Sequence, residues 1–251
     1  MSEPGVTAAN ADRREPRGRA NVALSRQVYE LLRERILSFQ MKPFEPISEN
    51  ALALELGLSR TPVREALARL AELGFVDIFP QSGTVIAPLR LTDLEKSQFL
   101  REALELAFLR RAMERGRSAA LMRRLRTDIA VQRTFVEAED ATRFYAADEQ
   151  FHHEIAAHAG LSSVLPEMAR AKTHMDRFRH LMLTGLESLP IVLAQHEAIV
   201  DAIESGDAEQ AARALQTHLR RILDFVEKAR AAHPQFFEDN GGETLRARRR
   251  G

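Results

Sequence analysis

An aspartate and two histidines occur together in DEQFHHE, residues 148–154, where the apolar spacing predicts a helix. Asp148 and His152 are four residues apart, so they lie above one another on the same face. His153 is displaced by about 100° from His152 and is expected to point elsewhere. A carboxylate and an imidazole on one face can bind a divalent metal ion, but the same pattern also fits an exposed carboxylate–histidine pair.

Two further histidines lie on predicted apolar helix faces. His196 shares its face with Leu193 and Val200, whereas His218 shares its face with Leu215. A single inward-facing histidine is usually a core side chain that has a hydrogen-bond partner. Three such histidines and an aspartate are harder to bury, because each polar group has a desolvation cost unless something binds it. A divalent cation would satisfy all four groups at once.

Length and composition limit the class of protein. The chain has 251 residues, of which 45% are hydrophobic and 29% charged, which suits one large or two small globular domains. It contains no cysteine, which excludes thiolate metal ligands and disulfides and fits a reducing compartment. No signal peptide and no membrane-spanning run is visible, so we expect a cytoplasmic protein without membrane contact. The net charge of +0 argues mildly against non-specific coating of nucleic acid.

Residues 22–90 have the element order of a winged helix-turn-helix domain. A first helix is predicted at 24–40, a second at 48–57 between the N-cap Ser48 and Gly57, and a third after Ser59. Two short strands, at about 75–79 and 84–87, enclose PQSG and form a hairpin, the wing. In this motif the start of the last helix enters the major groove of DNA.

Polar side chains occupy the outward face at the start of that last helix. Arg60 and Arg64 are four residues apart and project from the same side. Arginine supplies paired donors that match guanine or a phosphate, and Thr61 suits phosphate oxygens. The wing tip at Gly83 has little bulk and can approach a neighbouring groove. A solvated surface is the alternative interpretation of the arginines, but the complete motif favours DNA contact.

The runs LGLSRTPVREALARLAELGFV and PQSGTVIAP resemble the GntR family of bacterial transcription regulators, in which L-S-R-T-P-V-R-E-A-L is a signature. The resemblance implies a homodimer that binds a palindromic operator. The implied DNA contacts come from the last helix, its N-cap, the middle helix and the wing: Ser59, Arg60, Thr61, Arg64, Asn50 and Gly83.

The second half of the chain is predicted to consist of amphipathic helices. Six are expected, roughly at 92–115, 118–138, 140–159, 161–185, 189–205 and 207–231. Their connections are short, so neighbouring helices should be antiparallel. The predicted fold is mostly α, with a winged helix-turn-helix at 22–90 and an all-α six-helix bundle at 91–232. We expect a disordered tail at 1–21 and a flexible tail at 233–251.

This half resembles the FCD domain of the FadR-like GntR subgroup, and six helices suggest its shorter VanR-like form. Metal-binding members carry Asp-x3-His, a histidine some forty residues later, and another about twenty residues after that. The same order and spacing occur here in Asp148, His152, His196 and His218. The resemblance implies that these four side chains bind a divalent cation. The donors suit Zn, Ni, Mn or Fe, of which we expect Zn first.

Open coordination positions on such an ion could accept an organic carboxylate. The run FLREALELAFLRRA resembles the first helix of the FCD domain, and its Arg101 would pair with the carboxylate. A surface ion pair between Arg101 and Glu105 is the alternative. His174 is a second candidate for contact with the effector.

Together these features predict an allosteric transcription regulator rather than an enzyme. We expect a repressor whose operator affinity is controlled by an organic acid bound at the metal. Two alternatives stay open at this point: a metal-dependent hydrolase, and an interaction module with a structural metal and no effector.

Overall fold

The computed structural model describes residues 17–182 and 188–238. The chain divides into two compact units. Within the described residues, the first comprises 17–36 together with Phe44–Ala87, and the second comprises Leu37–Pro43, 88–182 and 188–238. Residues 37–43 therefore group with the second unit and not with the predicted winged-helix domain. No helix in the described residues is long and apolar enough to cross a membrane.

The first unit contains three helices and a small antiparallel sheet, as a winged helix-turn-helix requires. The helices are α1 (Arg17–Leu37), α2 (Glu49–Leu56) and α3 (Arg60–Glu72), and the strands are β1 (Pro46–Ile47), β2 (Val76–Phe79) and β3 (Gly83–Ile86). The strand order is β1-β3-β2, so the predicted hairpin of β2 and β3 forms the wing.

Local sequence signals explain the ends of α2. The Ser48 side chain accepts a hydrogen bond from the backbone N–H of Ala51 at 3.3 Å, and Gly57 ends the helix with a φ of 65°. Both were predicted from the sequence. On α3, Val63 and Leu67 are buried and pack into the core, which leaves the opposite face of the helix exposed.

Two elements of this unit differ from the sequence-based expectation. Helix α1 includes residues 17–21, which were predicted to be tail, and it ends at Leu37 instead of 40. It ends early because Phe39 has a φ of 58°, a left-handed conformation that a helix cannot contain. Strand β1 was not predicted, because two residues are too few to show an alternating pattern. Residues 1–16 of the predicted tail lie outside the described residues.

The second unit is helical. Its helices are α4 (Leu91–Glu114), α5 (Ala119–Glu137), α6 (Ala141–His158), α7 (Leu165–Ala171), α8 (Thr173–Met182), α9 (Leu189–Ser205), α10 (Ala208–Arg220) and α11 (Val226–Ala232). The apolar faces of α4, α5, α6, α7, α9 and α10 share one core, which includes Leu125, Phe144, Phe151 and Val200. Helices α8 and α11 pack in a second cluster together with Leu89, Leu94 and Phe237. The mostly α fold class is therefore confirmed.

Two of the six predicted helices are divided in the structure. The helix expected at 161–185 is interrupted at Lys172, next to Thr173, whose hydroxyl donates to the carbonyl oxygens of Ala169 and Arg170 at 2.8 Å. The helix expected at 207–231 tightens into a 3-10 helix over Arg221–Phe225, between α10 and α11. A periodic apolar pattern continues through such interruptions, so it does not reveal them.

The prediction of a flexible tail at 233–251 was wrong for residues 233–238. Phe237 is buried and forms a parallel bridge with Leu89, whose backbone N–H donates to the carbonyl oxygen of Phe236 at 2.8 Å. The two aromatic side chains supply the apolar area that holds this segment in place. Residues 239–251 lie outside the described residues.

Candidate metal centre and DNA-binding surface

Three helices of the second unit bring the four predicted metal ligands together. Asp148 and His152 lie on α6, His196 on α9 and His218 on α10. All four are buried, with between 0% and 6% of each residue exposed. One donor atom from each lies within 4.8 Å of the other three. The alternative of an exposed carboxylate–histidine pair was wrong.

The three imidazole rings meet through their Nε2 atoms. The Nε2 atom of His218 lies 3.1 Å from that of His152 and 3.2 Å from that of His196. The Oδ1 atom of Asp148 lies 3.3 Å from the Nε2 atom of His196. Nitrogen atoms at these distances repel one another if all carry lone pairs, unless a proton or a cation lies between them.

The Nδ1 atom on the other side of each ring indicates where that ring carries its proton. Each Nδ1 atom faces an oxygen acceptor: Glu105 at 2.5 Å from His152, Gln132 at 2.7 Å from His196 and Gln195 at 3.3 Å from His218. The amide of Gln132 is oriented this way because its nitrogen donates to the carbonyl oxygen of Ala147. Acceptors at these positions favour a proton on Nδ1 of each ring, which would direct the Nε2 lone pairs to the centre. Acceptors of this kind orient metal-binding histidines.

Burial and neighbouring charges together favour the protonation states that a metal ion needs. Burial lowers the pKa of His196, although Asp148, which would accept a hydrogen bond from the protonated ring, acts in the opposite direction. It lowers the pKa of His218 well below its usual value, and the neighbouring His196 and His152 add to the effect. Burial alone would raise the pKa of Asp148, but Arg179 and His196 hold it well below the usual value. Neutral imidazoles and an ionised carboxylate are suitable ligands for a divalent cation.

Arg101 lies beside this cluster, as predicted for an effector contact. Its Nε donates to Glu105 at 2.5 Å, and one of its terminal nitrogens lies 3.2 Å from the Nε2 atom of His152. The ion pair with Glu105, which was the alternative interpretation, is present but buried and not on the surface. Burial would raise the pKa of Glu105, but Arg101 and His152 lower it to about 2. Arg101 therefore has both an ionised partner and access to the candidate centre.

A cavity of about 90 Å³ adjoins the cluster, and Asp148 and His218 form part of its wall. The other walls come from three arginines and several apolar side chains, including Arg101, Arg179, Arg221, Val192, Ile222 and Phe225. A cavity of this volume has room for several water molecules and therefore for a small organic ligand.

The structure does not support the prediction that His174 contacts the effector, because it is not among the residues that line the cavity. On α8, Met175 and Arg179 face the cluster, and His174 is turned away from Met175 by about 100°. Arg179 of the same helix does line the cavity, and it donates to Asp148 at 3.2 Å and to Glu149 at 3.1 Å. The spacing of four residues between Met175 and Arg179 is the sequence signal that could have identified it.

The candidate DNA contacts of the first unit are exposed. They are Asn50 on α2, Ser59, Arg60, Thr61 and Arg64 at the start of α3, and Gly83 at the wing. The wing turns tightly at its tip, where Gln81 and Gly83 have φ angles of 62° and 101°. The side chains of Arg60 and Arg64 are 57% and 64% exposed, which leaves most of each guanidinium accessible to a nucleic acid.

Glu49, in the first turn of α2, forms ion pairs with both Arg60 and Arg64. Its Oε2 atom lies 3.2 Å from a terminal nitrogen of Arg60 and 3.2 Å from one of Arg64. Burial alone would raise the pKa of Glu49, but the hydrogen bonds from Arg64 and Arg60 lower it. The carboxylate therefore stays ionised and orients the two guanidinium groups. Sequence reasoning missed this residue, because it lies on a different helix from its partners.

We expect Glu49→Gln to increase affinity for DNA of any sequence and to reduce discrimination between the operator and other sequences. The substitution removes a negative charge that competes with phosphate for Arg60 and Arg64 and orients both side chains. The expected gain on non-specific DNA is about five- to tenfold, or roughly 1 kcal/mol. Fluorescence anisotropy at one fixed salt concentration measures the affinities for an operator fragment and for a scrambled duplex, and their ratio gives the discrimination.

Glu72→Gln is the matched control for this experiment, because it makes the same charge change at the exposed end of α3. Equal affinities of the two variants for both duplexes would mean that Glu49 does not restrain the arginines.

Comparison with known proteins identifies the family. The family described as bacterial regulatory proteins, gntR family, matches residues 24–86, and the FCD domain matches residues 98–221. An HTH-type transcriptional regulator in an unstable DNA locus of Streptomyces ambofaciens is 38% identical over 221 residues, which are 88% of this chain and 91% of the relative. The chain belongs to the GntR family.

A curated repressor and a solved structure are also similar to this chain. The HTH-type transcriptional repressor RspR of Escherichia coli K12 is 27% identical over 216 residues, or 86% of this chain and 94% of RspR. The solved structure of E. coli McbR/YncC has the same fold, with a TM-score of 0.65 at 19% identity, and the match covers 82% of this chain and 97% of that one.

Membership in the GntR family identifies the class of function. The chain is a DNA-binding transcription regulator, and its helical half contains an FCD domain. The matching families and relatives are transcription regulators and not enzymes, so the hydrolase alternative has no support.

Proposed function

We propose that this GntR regulator is a cytoplasmic, homodimeric repressor controlled by a metal-bound organic acid. Its FCD domain would bind a divalent cation and a small carboxylate, and the carboxylate would change its affinity for a palindromic operator. The observation that supports this most strongly is the convergence of three Nε2 atoms and a carboxylate oxygen in a buried cluster. Such a cluster is stable when a cation accepts the lone pairs.

The residues present fit a divalent metal ion. Asp148, His152, His196 and His218 would hold it, and the donor set of imidazole and carboxylate suits zinc first. The ion would supply positive charge that attracts a carboxylate. The cavity beside Asp148 and His218 gives such an acid a place to bind, with Arg101 as a second anchor.

Operator recognition would depend on the start of α3. Arg60 and Arg64 would donate to guanine or phosphate, and Ser59 and Thr61 would contact phosphate oxygens. Asn50 and the wing near Gly83 would add contacts on either side. Two such units in a homodimer match two half-sites of a palindrome about one turn of DNA apart or less. The name of RspR as a repressor favours repression here.

Chain connectivity offers a route from the centre to the DNA-binding unit. Helix α4 carries Arg101 and Glu105 and begins at Leu91, directly after the segment that joins the two units. An acid that engages Arg101 would favour one position of this helix. We expect a coupling of about 1–3 kcal/mol between acid and operator, which is about a 5- to 150-fold change in affinity.

Metal analysis combined with operator binding tests the proposal. The full-length protein is stripped with EDTA, reloaded with zinc, and assayed for metal content, for Tm with a panel of small carboxylates, and for operator shift. We expect about one ion per chain, a carboxylate-dependent rise in Tm and a carboxylate-dependent change in operator affinity that needs the metal. Bound metal without any response to carboxylates would favour the structural-metal alternative. Failure to retain any metal would contradict the proposal.

A further inference from the structure

Arg221 is a cation on the cavity wall that lacks a carboxylate partner in the part of the chain that the structure describes. It lies one turn after His218, at the start of the 3-10 segment that follows α10. Its Nε atom is buried and has no hydrogen-bond partner among residues 17–182 and 188–238. Its guanidinium lies over the ring of Phe225, 5.3 Å from the centroid. A buried N–H donor without an acceptor is costly, which indicates that something binds there.

The charges around the cavity favour a ligand with two negative charges. Arg101 pairs with Glu105, and Arg179 with Asp148 and Glu149. Lys172 and Asp176 also pair with each other, at 2.7 Å. Arg101, Arg179, Lys172 and Arg221 carry four positive charges, and the carboxylates paired with the first three, which are Glu105, Asp148, Glu149 and Asp176, carry four negative charges. A divalent cation would then leave two positive charges uncompensated in a buried site, and such an excess is unfavourable unless an anion neutralises it.

We infer that the effector is a short organic acid with two acidic groups, one directed to the metal and Arg101 and the other paired with Arg221. This inference rests on the proposed function and specifies the class of acid. His218 and Arg221 are three residues apart, so their side chains start about 5–6 Å from one another. The two acidic groups must therefore be separated by only a few bonds. Val192, Ile222 and Phe225 provide apolar contacts for the carbon chain between them.

Matched pairs of acids test the inference on zinc-loaded, full-length protein. Succinate is compared with butyrate, and malonate with propionate, by isothermal titration calorimetry. We expect the diacid of each pair to bind at least tenfold more tightly, because it forms an additional buried pair with a guanidinium group. Arg221→Gln should abolish this preference and leave the affinity for the monoacid within about twofold.

Arg213→Gln is the control, since Arg213 lies on α10, is largely exposed and pairs with Glu209. Metal content and Tm of both variants show that the centre and the fold are intact. Equal affinities of the wild-type protein for the acids of each pair, or a diacid preference that survives in Arg221→Gln, would overturn the inference and leave the proposed function in place. If the zinc-loaded protein bound none of the four acids, the proposed carboxylate response itself would be contradicted.

Discussion

His196→Ala is expected to reduce bound zinc from about one ion per chain to less than a tenth and to abolish the carboxylate response. The side chain is fully buried, and its Nε2 atom lies close to both His218 and Asp148. Substitution of a group that orients a metal ligand typically weakens metal binding by 10- to 100-fold. Loss of one of the four ligands should weaken zinc binding by more than this. Operator binding without carboxylate should persist, because α3 is unchanged.

The measurement is metal content by mass spectrometry, together with operator shift in the presence and absence of carboxylate. The alanine also removes a ring that stacks on Phe151 at 4.4 Å and leaves the side-chain oxygen of Gln132 without its donor, so a loss of about 2–4 kcal/mol in stability is expected. His218→Ala provides a second test, because its ring stacks on another histidine and not on Phe151. His180→Ala, an exposed histidine on α8, is the control. Undiminished zinc in both cluster variants would rule out the centre.

Arg64→Ala is expected to weaken operator binding by about 10- to 100-fold, or roughly 1–3 kcal/mol. Its exposed guanidinium lies on the first turns of α3, where a helix-turn-helix contacts the edges of bases. Zinc content and carboxylate binding should equal those of the wild-type protein, since the cluster lies in the other unit.

Anisotropy titrations at two salt concentrations measure the effect and separate a base contact from a phosphate contact. A base contact lowers affinity for the operator more than for a scrambled duplex, whereas a phosphate contact lowers both and reduces the salt dependence by about one unit of slope. Arg123→Ala makes the same charge change at an exposed position of α5, in the other unit. An operator affinity that Arg64→Ala leaves intact would show that α3 is not the recognition helix.

The sequence predicted the elements whose signals are local. Ser48 and Gly57 defined the ends of α2, and the four-residue spacing of Asp148 and His152 placed both on one face of α6. Spacing also indicated that His196 and His218 face inward. These features depend on helical period and capping, which a single segment of sequence contains.

Features that depend on packing between segments were not predictable in the same way. Gln132 accepts from His196 across 64 positions of sequence, and nothing in its own neighbourhood distinguishes it from a surface glutamine. Glu49 and Arg64 are 15 positions apart, and nothing in the sequence around either residue indicates that they are hydrogen-bonded. Residues 233–238 are likewise held in place by the contact between Phe237 and Leu89, which are far apart in the chain.

The ligands and the acceptors behind them come from helices α4, α5, α6, α9 and α10. An ion bound there would therefore act as a cross-link within most of the second unit, and it would stabilise the folded chain in proportion to the logarithm of its free concentration. At one hundred times its dissociation constant the gain is about 2.7 kcal/mol. In a cell starved of the ion, the population of unfolded and proteolysed chains would rise. Abundance of the regulator would then follow metal supply, independently of any organic acid.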